Sequence, residues 1–345
     1  MWFCERIHDL KIEEAVINFL PSWWYRHYGI EYGRKMYFDP DYRIETYINM
    51  RELYYQRFGK DTGTCCKNPK PMVIQPDFDN TFYQSMLGLE VRFPVDQYPM
   101  GIGALTDEQI MDLEVPEDLW GVYPYKEVKS QVEYMNRRLG TSVPPMMKTR
   151  GILNEAVQIC STEFYGYLLD EDYEDVIKKA MGFVSGVLQQ QIRRNCELDS
   201  DFMHIMMNCT CAVAGAPTYK SKVFAYDWQL YEQCVKHGRS IGLHHCGRFD
   251  DFVDIYGTMD KLSYIEIGHE SSIRPVLEQF KTAHIQYIMS TKLLNFGTVD
   301  EIREKIGEIL EETEGHWDRF SIQAPDLDAS VPDENIFALI DALKK

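Results

Sequence analysis

Along the second half of the chain, short apolar runs alternate with amphipathic helical stretches at least five times in succession. A helical segment from about Asp170 to Asn195 is followed by FMHIMMNCTC, an apolar run of strand length. SKVFAYDWQLYEQCVKHG reads as a helix stopped by Gly238, and SIGLHHCG as the next strand. LSYIEIGHE, IQYIMS and RFSIQAP repeat the strand pattern. RFDDFVDIYGTMDK, SIRPVLEQFKTA, VDEIREKIGEILEETEG and DENIFALIDALKK supply the helices between and after them. Short apolar strands separated by helices are the signature of a parallel sheet built from βα units. Such a sheet either stays open and doubly wound or closes into a (β/α)8 TIM barrel. No G-x-G-x-x-G turn follows any of these strands, so a dinucleotide fold has no support. Polar residues instead gather just past several strands: Cys209 and Cys211, His244 and Cys246, Glu266 and His269, Asp326 and Asp328. In a barrel these ends converge on one mouth, where barrel enzymes keep their chemistry. The expectation is therefore a (β/α)8 TIM barrel over residues 71–345. It is preceded by an aromatic-rich N-terminal extension or cap over 1–70, the whole forming a single structural unit.

Charge and cysteine usage narrow the function. The formal net charge of -18 disfavours nucleic acid as a partner. No apolar run has the length of a membrane helix, and the first fifteen residues carry charge too early for a secretory leader. Nine cysteines, odd in number and scattered, read as reduced thiols of a cytoplasmic protein, most of them small core residues.

The densest chemistry lies in LHHCGRF, residues 243–249. Alternate residues of a strand share a face, so His244 and Cys246 point one way and His245 the other. Gly247 lets the chain turn away. An imidazole and a thiolate two residues apart suit zinc, but a catalytic zinc takes about three protein ligands and an open position. The same residues also fit a packed strand end. Glu266 and His269 are candidate catalytic residues, Glu266 for metal binding or proton transfer and His269 for a hydrogen bond to substrate; a Glu266–Arg274 pair and a solvated His269 is the other reading. Cys209 and Cys211, two apart in NCTC, are expected to share one face of a strand end, fit for metal, redox or packing. Tyr226 and Asp227 open a helix and are candidates for a substrate wall, Asp227 equally for a partner of the helix dipole. The tyrosines, Trp23 and Trp24 of the N-terminal region suit either packing or an aromatic substrate pocket.

GLHHCG, on the strand after VFAYDWQLYEQCVKHG, resembles the uroporphyrinogen decarboxylase superfamily, and within it the corrinoid-dependent methyltransferase branch, where this strand ends in H-x-C-G. The likeness extends to GILNEAVQICSTEFYGYLLDEDYEDVIKKAM, to RELYYQRFG as an early R-F-G motif and to SVPDENIFALIDAL as a closing T-P-x-E-N helix, in order, over about 45 to 345. The resemblance implies a barrel with its active site at the C-terminal mouth. It implies methyl transfer between a small methylated substrate and a cobalamin held by a separate corrinoid protein, with His244 and Cys246 as zinc ligands. A methoxylated aromatic, undergoing O-demethylation, is the first substrate to consider.

Two departures qualify this. Branch members acting on coenzyme M carry a third ligand, a cysteine, where this chain has Pro325. Asp326, Asp328, Glu266, Glu155, Cys209 and Cys211 are left as candidates for that ligand. The decarboxylases carry an early R-Q-A-G-R motif, whereas this region has Arg26 and Arg34 without it. Three rivals remain: a decarboxylase-like lyase, a non-catalytic corrinoid-binding barrel and a zinc hydrolase with Glu266 as base.

Overall fold

Seven strands run parallel in one sheet. The computed structural model describes residues 10–59, 81–140, 148–197 and 203–344. In chain order the strands are β1 (Val16–Phe19), a hairpin of β2 (Glu90–Arg92) and β3 (Met100–Ile102), β4 (Lys148–Arg150), β5 (His204–Met207), β6 (Ile241–His245), β7 (Leu262–Ile267), β8 (His284–Ile288) and β9 (Phe320–Leu327). The large sheet has the order β4-β5-β6-β7-β8-β9-β1, every pairing parallel. It is an α/β fold with a curled parallel sheet. The eight-stranded barrel expected from the sequence is met by seven strands among the described residues, with β4 and β1 at the two edges.

The alternating second half is as the sequence predicts. Helices Phe224–Lys236, Ile273–Gln279, Val299–Glu312 and Asp333–Leu343 separate or follow the strands. Thr298 caps the third of these with a complete capping box. Gly238 does close its helix, with φ +63, a backbone conformation that side chains with a Cβ rarely adopt. One short helix, Thr291–Phe296, was not anticipated from its six residues.

The N-terminal region contributes more than a cap. Val16–Phe19 pairs with β9, and helices Pro21–Tyr28 and Pro40–Phe58 follow. The expected boundary near residue 70 lies outside the described residues, as do Cys4, Cys65 and Cys66. The aromatic side chains pack on one another. Phe19 stacks on Trp23 at 3.9 Å, Trp23 meets Trp24 edge-on at 4.9 Å, and both tryptophans are buried. Arg57 of the R-F-G motif makes a two-pronged contact with Asp333, 2.9 Å on each prong, and lies over the Trp23 ring. Phe58 touches Phe337. The early motif and the closing helix therefore meet in space, and their contacts join the two ends of the fold.

The strands divide their residues between two faces. Leu243, Ile265, Ile267, Ile285, Ile322 and Ala324 enter the main core beneath the helices. The residues between them face the inner side of the curled sheet, the lumenal side of the expected barrel, and are largely polar. The register sets Arg150, Met207, His244, Glu266, Gln286 and Ser321 opposite one another across six adjacent strands. The tool that builds this row is simple alternation, applied strand after strand.

Candidate metal centre

Register brings Met207 beside His244, so the residues just past β5 meet those ending β6. The ligating atoms of Cys209, His244 and Cys246 all lie within 4.8 Å of one another. His244 sits within β6, Cys246 directly after it and Cys209 two residues past the end of β5. Cys246 is exposed, whereas His244 and Cys209 are half-buried.

Each member of the cluster perturbs the others. The hydrogen bond from Cys246 holds the Cys209 pKa well below the usual thiol value against the opposing effect of burial, with His244 and Arg150 adding to it. Cys246 is pushed up, first by that same contact with Cys209 and then by burial. The two thiols titrate as a coupled pair, with the mutual contact favouring the ionised form at Cys209 and the protonated form at Cys246. Burial disfavours the His244 imidazolium, yet the Cys209 sulfur and the Glu266 carboxylate together raise its pKa well above the usual value. A cation bound at this point would favour the deprotonated thiols and the neutral imidazole, so binding would release protons.

Behind His244 stands a buried chain of hydrogen bonds. His244 Nδ1 contacts Glu266 Oε2, leaving Nε2 as the ring nitrogen for a metal. Glu266 is fully buried; desolvation raises its pKa and His244 lowers it. Its other oxygen lies 2.5 Å from the Tyr264 hydroxyl, which is also 2.7 Å from Gln286 Oε1. Gln286 Nε2 donates to Ser321 Oγ at 3.0 Å, and His284 Nε2 lies 2.7 Å from that same oxygen. This lumenal chain was not singled out from the sequence. Its signal was present: Tyr264 and Glu266, and likewise Ser321 and Gln323, are polar residues two apart in otherwise apolar strands.

The other predicted residues fall in different places. Glu266 supports His244 from behind. His269 is exposed beyond β7, where its backbone oxygen accepts from the Tyr287 hydroxyl. Tyr226 is half-buried, and Asp227 is fully buried. Asp227 accepts from Asn208 Nδ2 at 2.8 Å and the Tyr219 hydroxyl at 2.7 Å, and burial raises its pKa to about 6. Cys211 does not share a face with Cys209. The strand has already ended, and Cys211 begins the short helix Cys211–Ala214 with its thiol buried in the core. Asp328 accepts from Ser330 in a turn, and Asp326 is an exposed residue at φ +53. Glu155, buried after β4, faces Arg150 at 3.5 Å; desolvation raises its pKa to about 7 despite that partner. Of the six candidates for a third ligand, Cys209 is the one grouped with His244 and Cys246. Its strand lies beside β6, and Pro325 belongs to β9, three strands away in the sheet.

No family model matches the chain, and no curated protein does. Solved structures do match, in 34 chains. One is a methyltransferase from Methanosarcina mazei, with a TM-score of 0.67 at 14% sequence identity, covering 97% of this chain and 93% of the other. At that identity the likeness is one of fold, and it extends over nearly the whole of both chains.

Proposed function

We propose that the protein is a metal-assisted methyltransferase that moves a methyl group between a small methylated substrate and a cobalamin carried by a corrinoid protein. The observation that carries this reading is the Cys209–His244–Cys246 cluster at the C-terminal ends of parallel strands. Two thiols and an imidazole form a donor set known for catalytic zinc with a fourth position open. The fold shared with a methyltransferase and the H-x-C-G strand end support the same reading. An eight-stranded closed barrel remains the inferred architecture, supported by seven parallel strands in sequential order.

Cleaving a methyl–oxygen bond is difficult because the leaving oxygen is basic. Zinc held by Cys209, His244 and Cys246 would supply a Lewis acid for that oxygen. The chain's own residues prepare the site. Glu266 fixes the ring orientation and tautomer of His244. Tyr264, whose hydroxyl also contacts Gln286, holds Glu266 in turn. Cys246, the most exposed of the three, marks the side from which a substrate and a partner would approach.

A methoxylated aromatic heads the substrates to be screened, although the N-terminal aromatics that suggested it are engaged in packing. A cytoplasmic location agrees with the free thiols of the six described cysteines. No described helix is long and apolar enough to cross a membrane.

The test is metal content of protein purified without added metal, for wild type and for His244→Ala/Cys246→Ala. About one zinc per chain, lost in the double variant, supports the reading and justifies assays of methylated compounds with reduced cobalamin. Absence of metal from the wild type after incubation with zinc would overturn the metal-assisted mechanism.

A further inference from the structure

We propose that Asp227, acting through Asn208, is a positioning residue that fixes the Cys209 sulfur as the third ligand of the triad. The proposal rests on the metal reading above. Its starting point is where Cys209 lies. His244 belongs to a strand, but Cys209 is in a short link between β5 and the helix Cys211–Ala214. Strand geometry does not hold a link residue in place, so a ligand there needs other restraints.

Asn208 supplies them on one side. Its backbone N–H donates to the His244 carbonyl at 2.8 Å, setting the Cys209 end of the link against the strand that carries the other two ligands. Its amide nitrogen donates to Asp227 Oδ2 at 2.8 Å and lies 3.1 Å from the Tyr256 hydroxyl. Asp227 is itself held by the Tyr219 hydroxyl at 2.7 Å and by the backbone N–H of Ile152 at 3.4 Å. On the far side of Cys209, the Thr210 N–H donates to Asn154 Oδ1 at 3.0 Å. A Cβ on Gly151 would come within 1.8 Å of Asn208 Oδ1, so the turn after β4 closes directly on the same amide.

Asn208, Asp227, Tyr219 and Tyr256 are all completely buried. Removing a carboxyl and an amide from water is costly, and well-packed apolar residues serve bulk stability at least as well. What the polar cluster adds is direction: it fixes the link in one conformation. Complete burial also separates Asp227 from any bound substrate, so it acts through Asn208.

The experiment uses the full chain and two substitutions, Asp227→Asn and Asn208→Ala, alone and combined with Cys209→Ala. Zinc affinity is measured by chelator competition, thiolate coordination by the sulfur-to-metal charge-transfer absorption of the Co2+ form, and metal-free stability by thermal unfolding. Each single variant is expected to bind zinc about 10–100-fold more weakly and to lose one thiolate's share of the Co2+ absorption. In the Cys209→Ala background neither should weaken binding further, because the residue they position is gone. Where Asp227→Asn fails to fold, Asn208→Ala gives the same reading. Two-thiolate absorption and wild-type affinity in the folded variants would overturn the proposal and leave the metal reading standing. A wild type that binds neither Zn2+ nor Co2+ would overturn both.

Discussion

The two faces of the parallel sheet are made from alternate residues of the same strands, yet they are built on opposite principles. The outer face is mainly apolar, with His204, His245 and Tyr287 set among its aliphatic residues, and it fills the core under the helices. The lumenal face carries Tyr264, Glu266, His284, Gln286 and Ser321, joined by hydrogen bonds and ending at His244. Apolar burial is non-directional and tolerates exchange of similar shapes, whereas a buried polar chain depends on every member being satisfied. The outer face should therefore govern whether the chain folds, and the lumenal face what the mouth can hold.

The largest expected effect is on the triad itself. Cys209→Ala with Cys246→Ala should abolish stoichiometric zinc while leaving the metal-free melting temperature close to that of wild type, as metal analysis and calorimetry would show. Loss of folding in this variant would erase the contrast between the faces. Next is Ile265→Ala on the outer face, which should cost about 2–5 kcal/mol of stability in denaturant titration. Its zinc affinity, measured on folded protein, should stay within a few-fold of wild type. Glu266→Gln should fold and still bind zinc, but about 10–100-fold more weakly in chelator competition.

The smallest effect sharpens the comparison through pH. Burial raises Glu155 to about 7 from 4.5, and Arg150 offsets this only in part. An acid with a raised folded-state pKa contributes stability while it stays protonated, and that contribution falls as pH rises from 4.5 through about 7. Glu155→Gln should therefore gain on wild type across this window, by on the order of 1–3 kcal/mol, and the difference should level off above it. Unfolding curves at several pH values would check it; a difference that does not vary with pH would refute the assignment.

Legibility followed the reach of each signal. Alternation within one strand was enough to place His244 and Cys246 together, because both belong to one local pattern. Cys209 stayed one of six candidates, since its neighbourhood depends on the β5–β6 register, which no local pattern encodes. Cys211 was misplaced because the strand ends at Met207, and spacing in a turn no longer reports a shared face. Val16–Phe19 is three apolar residues and Asn18 beside a dense aromatic region, too short to stand out as a strand until β9 pairs with it. The lumenal polar residues were visible as alternate positions, but their bonding needed four strands, β6 to β9, side by side.

The exposure of Cys246 gives the triad an inside and an outside. Cys246 is the most exposed residue of the three, while Cys209 and His244 lie deeper. Capture and release of a cation at this mouth would then proceed in a set order. With Cys246 as the outermost residue, the rate of exchange of a cation would be set from the solvent side and the strength of binding from within.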